Sequence, residues 1–255
     1  MRRLRYRWAL YVAGGLLLAA VPYVAIDHAL QVHIERQARA RLDTAAARTL
    51  DLIESRLNQA ATTLVDLGAL GLDACNDNAL AIMRRVVFAS MPLKELSLIS
   101  PDGRMLCTHI GAAPEERTLS REINLSSRIA IAVARFRDRN ERAVQLRLDR
   151  AAKPSIAALI PSRTLLPDTN LEGGIGSRRV RVILDGGDVV AAYPASEEGA
   201  KSDESDWLAV QRHSERFPLG VTVERSRTTI AEDYRDLLMI GRFAAILIGL
   251  LGLGL

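Results

Sequence analysis

The stretch Glu95-Leu-Ser-Leu-Ile-Ser-Pro-Asp-Gly-Arg-Met-Leu-Cys-Thr-His-Ile110 decides the fold. Two short, largely apolar runs flank the turn residues Pro101-Asp102-Gly103, and such runs around an Asp-Gly corner are typical of a β-hairpin. The second run carries Cys107, one of only two cysteines in the chain. The sequence therefore predicts an antiparallel strand pair with a cysteine in its second strand.

A long amphipathic helix is predicted before this hairpin. No proline or glycine occurs between Leu30 and Leu67, and apolar residues recur there at steps of three or four, which defines one face of a helix. Gly68 and Gly71 are expected to end this stalk helix, with Cys75 in the loop that follows. The apolar stripe suits packing within one chain or against a partner helix in a dimer, and both remain open. The stripe consists of Leu30, Ile34, Ala38, Leu42, Ala46, Leu50, Ile53, Leu57, Ala60, Leu64 and Leu67.

The rest of the domain is predicted to be mostly antiparallel sheet. A short helix is expected at 78–89 and an exit helix at 228–238, while 197–205 is a polar loop. The turn residues Asp185-Gly186-Gly187-Asp188 predict a second hairpin. This order of elements predicts an α+β fold. Further strands are expected at 129–136, 143–148, 155–160, 179–184, 189–193, 208–212 and 220–224.

Two apolar segments predict that this domain lies between membrane helices. Trp8–Ile26 has 19 residues without a charge, and Leu237–Leu255 is interrupted only by Arg242. The arginine-rich residues 1–7 are expected to stay cytoplasmic, which places 27–236 in the periplasm of a bacterial inner-membrane protein. A cleaved signal peptide is the alternative for the first segment. We also expect the chain to be the N-terminal part of a longer protein, whose cytoplasmic output domain follows the second span.

The charge distribution argues against nucleic acid as a partner. All 30 acidic residues lie between Asp27 and Asp236, and that segment carries 29 basic residues, which leaves a net charge of −1. The overall charge of +4 therefore belongs to the predicted membrane flanks. Aromatic residues make up only 4% of the chain, too few for a base-stacking surface.

No motif in the chain predicts catalysis, a cofactor or a metal site. The four histidines, His28, His33, His109 and His213, have no metal-binding spacing, and no Cys-x-x-Cys pair occurs. The glycines of 173–176 lack the strand-to-helix setting of a phosphate-binding loop. We expect no catalytic, cofactor-binding or metal-binding residue here.

The two cysteines are expected to join, because thiols within reach of each other in an exported domain normally form a disulfide. Closing a loop of about 33 residues would stabilise the fold by roughly 3–4 kcal/mol. A permanent structural disulfide and a redox switch both remain open, since a switch requires a potential near that of the compartment.

The sequence Asp102-Gly103-Arg104-Met105-Leu106-Cys107-Thr108-His109 resembles the CSS-motif sensor domain that precedes EAL-type cyclic di-GMP phosphodiesterases. In that family the motif after the hairpin is Cys-Ser-Ser, and its cysteine pairs with an upstream one. Here Cys107 matches and Cys75 is the upstream cysteine, whereas Thr108 and His109 replace the two serines. Thr108 keeps the hydroxyl group and His109 does not. The resemblance extends over nearly the whole chain in layout, but only the cysteine region is specific.

The resemblance implies a redox mechanism and a set of partners. Periplasmic disulfide-forming proteins would oxidise the pair and restrain the enzyme, and reduction would let the membrane and stalk helices associate as a homodimer. A cytoplasmic EAL domain, absent from these residues, would then hydrolyse cyclic di-GMP. This chain itself would be non-catalytic.

A receptor of a different class is the alternative. A small-molecule-binding domain of the Cache or PAS type, serving a histidine kinase or chemoreceptor, would also place an α+β domain between two membrane helices. There the cysteines would serve only as a structural cross-link.

Overall fold

A computed structural model of the chain describes residues 2–111, 117–137, 141–166, 178–194 and 206–253. Side chains are described within these ranges except at 2–19, 22, 245 and 248–253. The predicted polar loop at 197–205 and the glycines of 173–176 lie outside the described residues. The chain divides into two compact units, one of residues 1–42, 203–208 and 225–255, the other of residues 43–202 and 209–224.

The observed fold is a mixed α+β fold with a long N-terminal helix and antiparallel sheet, as the sequence predicts. The helices are α1 (Arg2–Ala69), α2 (Asp77–Ala89), α3 (Ser162–Leu165), α4 (Arg227–Asp233) and α5 (Arg235–Leu253). The strands are β1 (Glu95–Ile99), β2 (Met105–Thr108), β3 (Arg117–Leu119), β4 (Ile123–Asn124), β5 (Ile129–Phe136), β6 (Arg142–Arg150), β7 (Lys153–Pro161), β8 (Arg178–Leu184), β9 (Val189–Tyr193), β10 (Trp207–His213) and β11 (Leu219–Ser226).

The strands form two sheets. The larger sheet has seven strands in the order β2-β1-β7-β6-β5-β3, with β4 also paired to β5. The smaller sheet has four strands in the order β10-β11-β8-β9. The strand pairs of the larger sheet are antiparallel, including the predicted hairpin of β1 and β2. That hairpin lies at one edge of the larger sheet.

The core of the larger unit includes one face of α1 and the central strands of the seven-stranded sheet. Leu50 to Leu67 of the predicted stripe are buried, and several of these side chains are fully excluded from solvent. Central strands β5, β6 and β7 bury successive residues, so both of their faces are covered. Burial of this part of α1 thus takes place within the chain itself.

The smaller unit is held by polar contacts between its own segments. Arg242 donates to Asp27 at 3.0 Å, and the Tyr234 hydroxyl group donates to Gln37 at 3.3 Å. The guanidinium of Arg41 lies 5.5 Å from the centre of the Tyr234 ring, a cation–π contact. These contacts join α1 to the segment that ends the chain.

Four details differ from the sequence-based expectations. The first helix includes Gly68 and ends at Ala69. The predicted exit helix is two helices, α4 and α5, which meet at Tyr234. Strands β3 and β4 and the short helix α3 were not predicted. The single predicted sheet is divided into two.

Within the part of the chain that is described, no helix is both long enough and apolar enough to cross a bilayer. The two predicted membrane spans, 8–26 and 237–255, are therefore not confirmed. Many of their side chains lie outside the described residues.

Candidate functional site: the Cys75–Cys107 disulfide

The two cysteines are joined by a disulfide, with their α-carbons 6.1 Å apart. Cys75 lies in residues 70–76, which connect α1 to α2, and Cys107 lies in strand β2. The bond therefore ties the connection after the long helix to the edge of the larger sheet. We call residues 70–76 the α1–α2 connection.

The connection around Cys75 is shaped by the start of α2. Asn76 caps that helix, because its side-chain oxygen accepts a hydrogen bond from the backbone N–H of Ala79 at 2.8 Å. Cys75 precedes the cap residue and is exposed, as are its neighbours in residues 73–78. Leu72, by contrast, is buried and anchors the other end of the connection.

Cys107 lies in a different environment. Its side chain is 4% exposed, and it pairs in β2 with Leu98 of β1, which is fully buried. The next residue, Thr108, is 1% exposed. Cys107 is thus held in the sheet by both its strand hydrogen bonds and its packing, whereas Cys75 is held in a loop.

The turn that precedes β2 has the geometry its residues predict. Gly103 has a φ of 85°, a left-handed conformation that strains residues with a side chain, and its N–H donates to the Ser100 carbonyl at 2.9 Å. Asp102 accepts a hydrogen bond from the Arg104 guanidinium at 2.6 Å, which lowers the pKa of that carboxyl group below its usual value. Asp102 and Gly103 therefore form the turn that precedes β2.

His109 follows the last residue of β2. Its N–H donates to the Leu96 carbonyl at 2.8 Å, and its carbonyl accepts from Nε of Arg84 on α2 at 2.8 Å. Its Nδ1 is buried and has no hydrogen-bond partner among the described residues. Through these backbone contacts, His109, which stands at the position of the second serine of the motif, connects α2 to the sheet.

A group of charged residues that sequence analysis missed also holds the α1–α2 connection. Asp73 contacts Nζ of Lys153 at 2.8 Å and Nη1 of Arg150 at 3.3 Å. Nη2 of Arg150 also donates to the Leu72 carbonyl at 2.6 Å. The hydrogen bond from Lys153 holds the pKa of Asp73 below its usual value, and the charge of Arg150 adds to this. We call Asp73, Arg150 and Lys153 the Asp73 cluster.

The Asp73 cluster arises from a tight turn between two strands. Arg150 ends β6 and Lys153 begins β7, and Ala152 between them has a φ of 56°. The sequence Arg150-Ala-Ala-Lys153 between two predicted strands was a signal for two cations at one turn. Its acidic partner was not predictable, because Asp73 is far away in sequence.

Among the residues that the structure describes, no group of three or more histidine, cysteine, aspartate or glutamate side chains could hold a metal ion. The only bond with redox chemistry in that part of the chain is the disulfide. Its chemistry is exchange with an external thiol or disulfide.

The fold of the chain is similar to that of several solved ligand-binding domains of bacterial chemoreceptors. It is similar to the ligand-binding domain of the amino acid chemoreceptor PctB of Pseudomonas aeruginosa PAO1, solved with L-Arg, at a TM-score of 0.53 and 9% identity, over 76% of this chain and 97% of that one. The ligand-binding domain of the Pseudomonas fluorescens chemoreceptor CtaA, solved with L-serine, gives a TM-score of 0.49 at 9% identity, over 76% and 99% of the two chains. The periplasmic domain of RsbU from Chlamydia trachomatis gives 0.43 at 12% identity, over 78% and 98%. Such low identities bear on the fold alone.

The chain belongs to the CSS-motif family. The family model described as "CSS motif domain associated with EAL" matches residues 38–238, which confirms the resemblance drawn from the motif around Cys107. No curated protein sequence matches the chain. Membership in this family, whose description associates it with EAL, supports a role as a sensor input domain.

Proposed function

We propose that this chain is the periplasmic redox-sensing input domain of a membrane-bound cyclic di-GMP phosphodiesterase, in which the Cys75–Cys107 disulfide controls a cytoplasmic EAL domain. The family association with EAL supports an EAL domain as the part that is controlled. The position of the disulfide supports its redox state as the signal. The observation that carries the proposal is that the bond ties the connection after the long helix to the edge of a sheet.

The control follows from what the bond restrains. In the oxidised state α1 is linked through Cys75 to β2, so its end cannot move independently of the sheet. Reduction removes this covalent restraint and allows a second arrangement of the helix, which is the two-state element that a switch requires. Periplasmic disulfide-forming and disulfide-reducing proteins set the population of the two states.

The membrane arrangement is part of the same proposal. Residues 8–26 and 237–255 would span the inner membrane and carry the change in α1 to the cytoplasm, with 27–236 in the periplasm. A homodimer would form through these spans. In the oxidised state the apolar stripe of the stalk from Ile34 onward is buried within the chain, so an association of stalk helices would follow reduction.

The redox proposal is tested by measuring cyclic di-GMP in cells that carry the full-length protein. Cys75→Ser and Cys107→Ser should each lower cyclic di-GMP to the same level, because either change removes the bond and releases the enzyme. Wild-type protein in cells that lack the disulfide-forming machinery should reach that level too. Unchanged cyclic di-GMP in both variants would refute the redox control.

The second candidate is a small-molecule receptor domain of the Cache or PAS type. The fold likeness to PctB, which was solved with L-Arg, favours it. Thermal-shift measurements on the full chain in detergent, with single amino acids as probes, distinguish the two. A rise in the midpoint with one amino acid and no response of cyclic di-GMP to the cysteine substitutions would favour the receptor.

A further inference from the structure

We propose that redox exchange of this disulfide takes place at the Cys75 sulfur, and that Cys107 is the leaving thiolate on reduction and the resolving thiol on oxidation. The proposal deepens the proposed redox function, on which its biological meaning rests. It assigns different chemical roles to two cysteines that the sequence presents as equivalent.

The difference in exposure carries this assignment. Cys75 is exposed in an exposed loop, whereas Cys107 is 4% exposed and lies in a sheet beside the buried residues Leu98 and Thr108. An attacking thiolate must reach the sulfur with which it forms a bond, so access selects which of the two sulfurs is attacked. Only Cys75 offers that access in the folded protein.

The exchange is balanced with a dithiol reductant as co-reactant. A thiolate of the reductant attacks Sγ of Cys75, the Cys75–Cys107 bond breaks, and Cys107 leaves with the electron pair as a thiolate. The second thiol of the reductant, once deprotonated, then attacks the reductant's own sulfur in the mixed disulfide. This releases Cys75 as a thiolate, and the reductant is oxidised to its disulfide while the two cysteines gain two electrons and two protons.

The same difference in exposure determines which thiol reacts first when the two cysteines are oxidised. The Cys75 thiolate attacks the disulfide of an oxidant, forms the mixed disulfide and expels one thiolate of that oxidant. Cys107 then attacks Sγ of Cys75 and expels the other. Cys107 is suited to this step because pairing with β1 keeps it in place, and the Asp73 cluster holds the α1–α2 connection beside the sheet.

The first experiment uses the full chain in detergent with one cysteine at a time. Cys107→Ser leaves Cys75 and Cys75→Ser leaves Cys107, and each is reacted with glutathione disulfide, folded and in urea. Cys75 should react in the folded chain nearly as fast as in urea. Cys107 should be slowed by about tenfold or more, because a buried thiol reacts only from a transiently opened state. Equal slowing, or a greater slowing of Cys75, would overturn the proposal.

The second experiment needs no substitution, so misfolding of a variant cannot affect it. Oxidised wild-type chain is exposed briefly to reduced glutathione, quenched with acid and digested, and the peptide that carries glutathione is identified by mass spectrometry. Glutathione should be found on Cys75. Glutathione on Cys107, or on both equally, would contradict the assignment.

The outcome is separable from that of the redox proposal. If glutathione is found on Cys75 but the cyclic di-GMP level does not change with the cysteine substitutions, only the proposed redox control is refuted. If cyclic di-GMP responds but Cys107 is attacked first, only the assignment of roles fails.

Discussion

The α1–α2 connection is attached to the larger sheet at two places that differ in chemistry. At the sheet edge, Cys75 is bonded to Cys107 of β2, an attachment that a reductant breaks. At the turn between β6 and β7, the connection is held by the Asp73 cluster, which a reductant leaves intact. The comparison shows that reduction removes one of two attachments and releases the segment around Cys75, and that a second arrangement of α1 also requires the contacts of the Asp73 cluster to open.

The disulfide should be the stronger of the two attachments. Cys75→Ser removes it and leaves a small polar group in an exposed loop, so the loss of the cross-link is the main effect. We expect the free energy of unfolding to fall by roughly 3–4 kcal/mol, because the unfolded chain regains the entropy of a long loop. Urea denaturation of the full chain in detergent measures it. Wild-type protein with reductant is the matched control, and a much smaller loss there would show that the serine itself destabilises the loop.

Disrupting the Asp73 cluster should cause the second-largest loss in the free energy of unfolding. Arg150 is largely buried and donates to the Leu72 carbonyl as well as to Asp73. Arg150→Ala should lower the free energy of unfolding by roughly 2 kcal/mol, since a buried carbonyl group loses a charged donor. The control is Arg104→Ala, because the Arg104 side chain is 84% exposed and its guanidinium pairs with Asp102 in the turn. If both variants lose the same stability, the cluster is not an attachment.

The start of α2 should contribute less than either attachment. Asn76→Ala removes the acceptor for the Ala79 N–H and should cost about 1 kcal/mol. Asn76→Asp keeps a capping oxygen and should be close to wild type. Hydrogen exchange at the first turn of α2 measures the effect locally, and unchanged protection in Asn76→Ala would exclude a role of the cap in holding Cys75.

The smallest effect is expected from pH. The pKa of Asp73 is lowered in the folded chain by the hydrogen bond from Lys153, so its contribution to stability is present above the pKa of the unfolded chain and is lost as the pH falls through the folded value. Thermal midpoints of wild type and Asp73→Asn should therefore differ slightly at pH 6 and converge in acid. Asp102→Asn is the control, because Asp102 has a lowered pKa but does not hold the connection. Only Asp73→Asn should raise hydrogen exchange at residues 72–76.

Local patterns were sufficient to predict most strands of this fold. Strands β5 and β9 have the predicted bounds, and both hairpins form at turns with Asp-Gly sequences, because apolar runs between turn residues are local signals. Strands β3 and β4 are three and two residues long, too short to show a pattern. The division into two sheets could not be predicted from local patterns either, because it depends on which strands pair with each other.

The candidate site was predictable only in part. Cys75 and Cys107 could be identified as candidates because the chain has only these two cysteines. That Cys75 is exposed and Cys107 is buried could not be predicted, because it depends on the burial of β2 in the folded chain. The Asp73 cluster could not be found, because Asp73 is about 80 residues from Arg150 and Lys153 in sequence and no local pattern pairs it with them.

The shape of β2 also determines how readily copies of this protein associate through the edge of the larger sheet. β2 is four residues long, and its pairing with β1 is irregular between Leu98 and Ile99, so the edge it presents is a poor template for another strand. β1 beneath it is apolar, with Leu96 and Leu98 fully buried. A chain whose β2 detaches would expose a strand suited to intermolecular pairing. Substitutions that break the pairing of β1 with β2 should therefore promote aggregation, and colloidal stability should depend on keeping this edge covered.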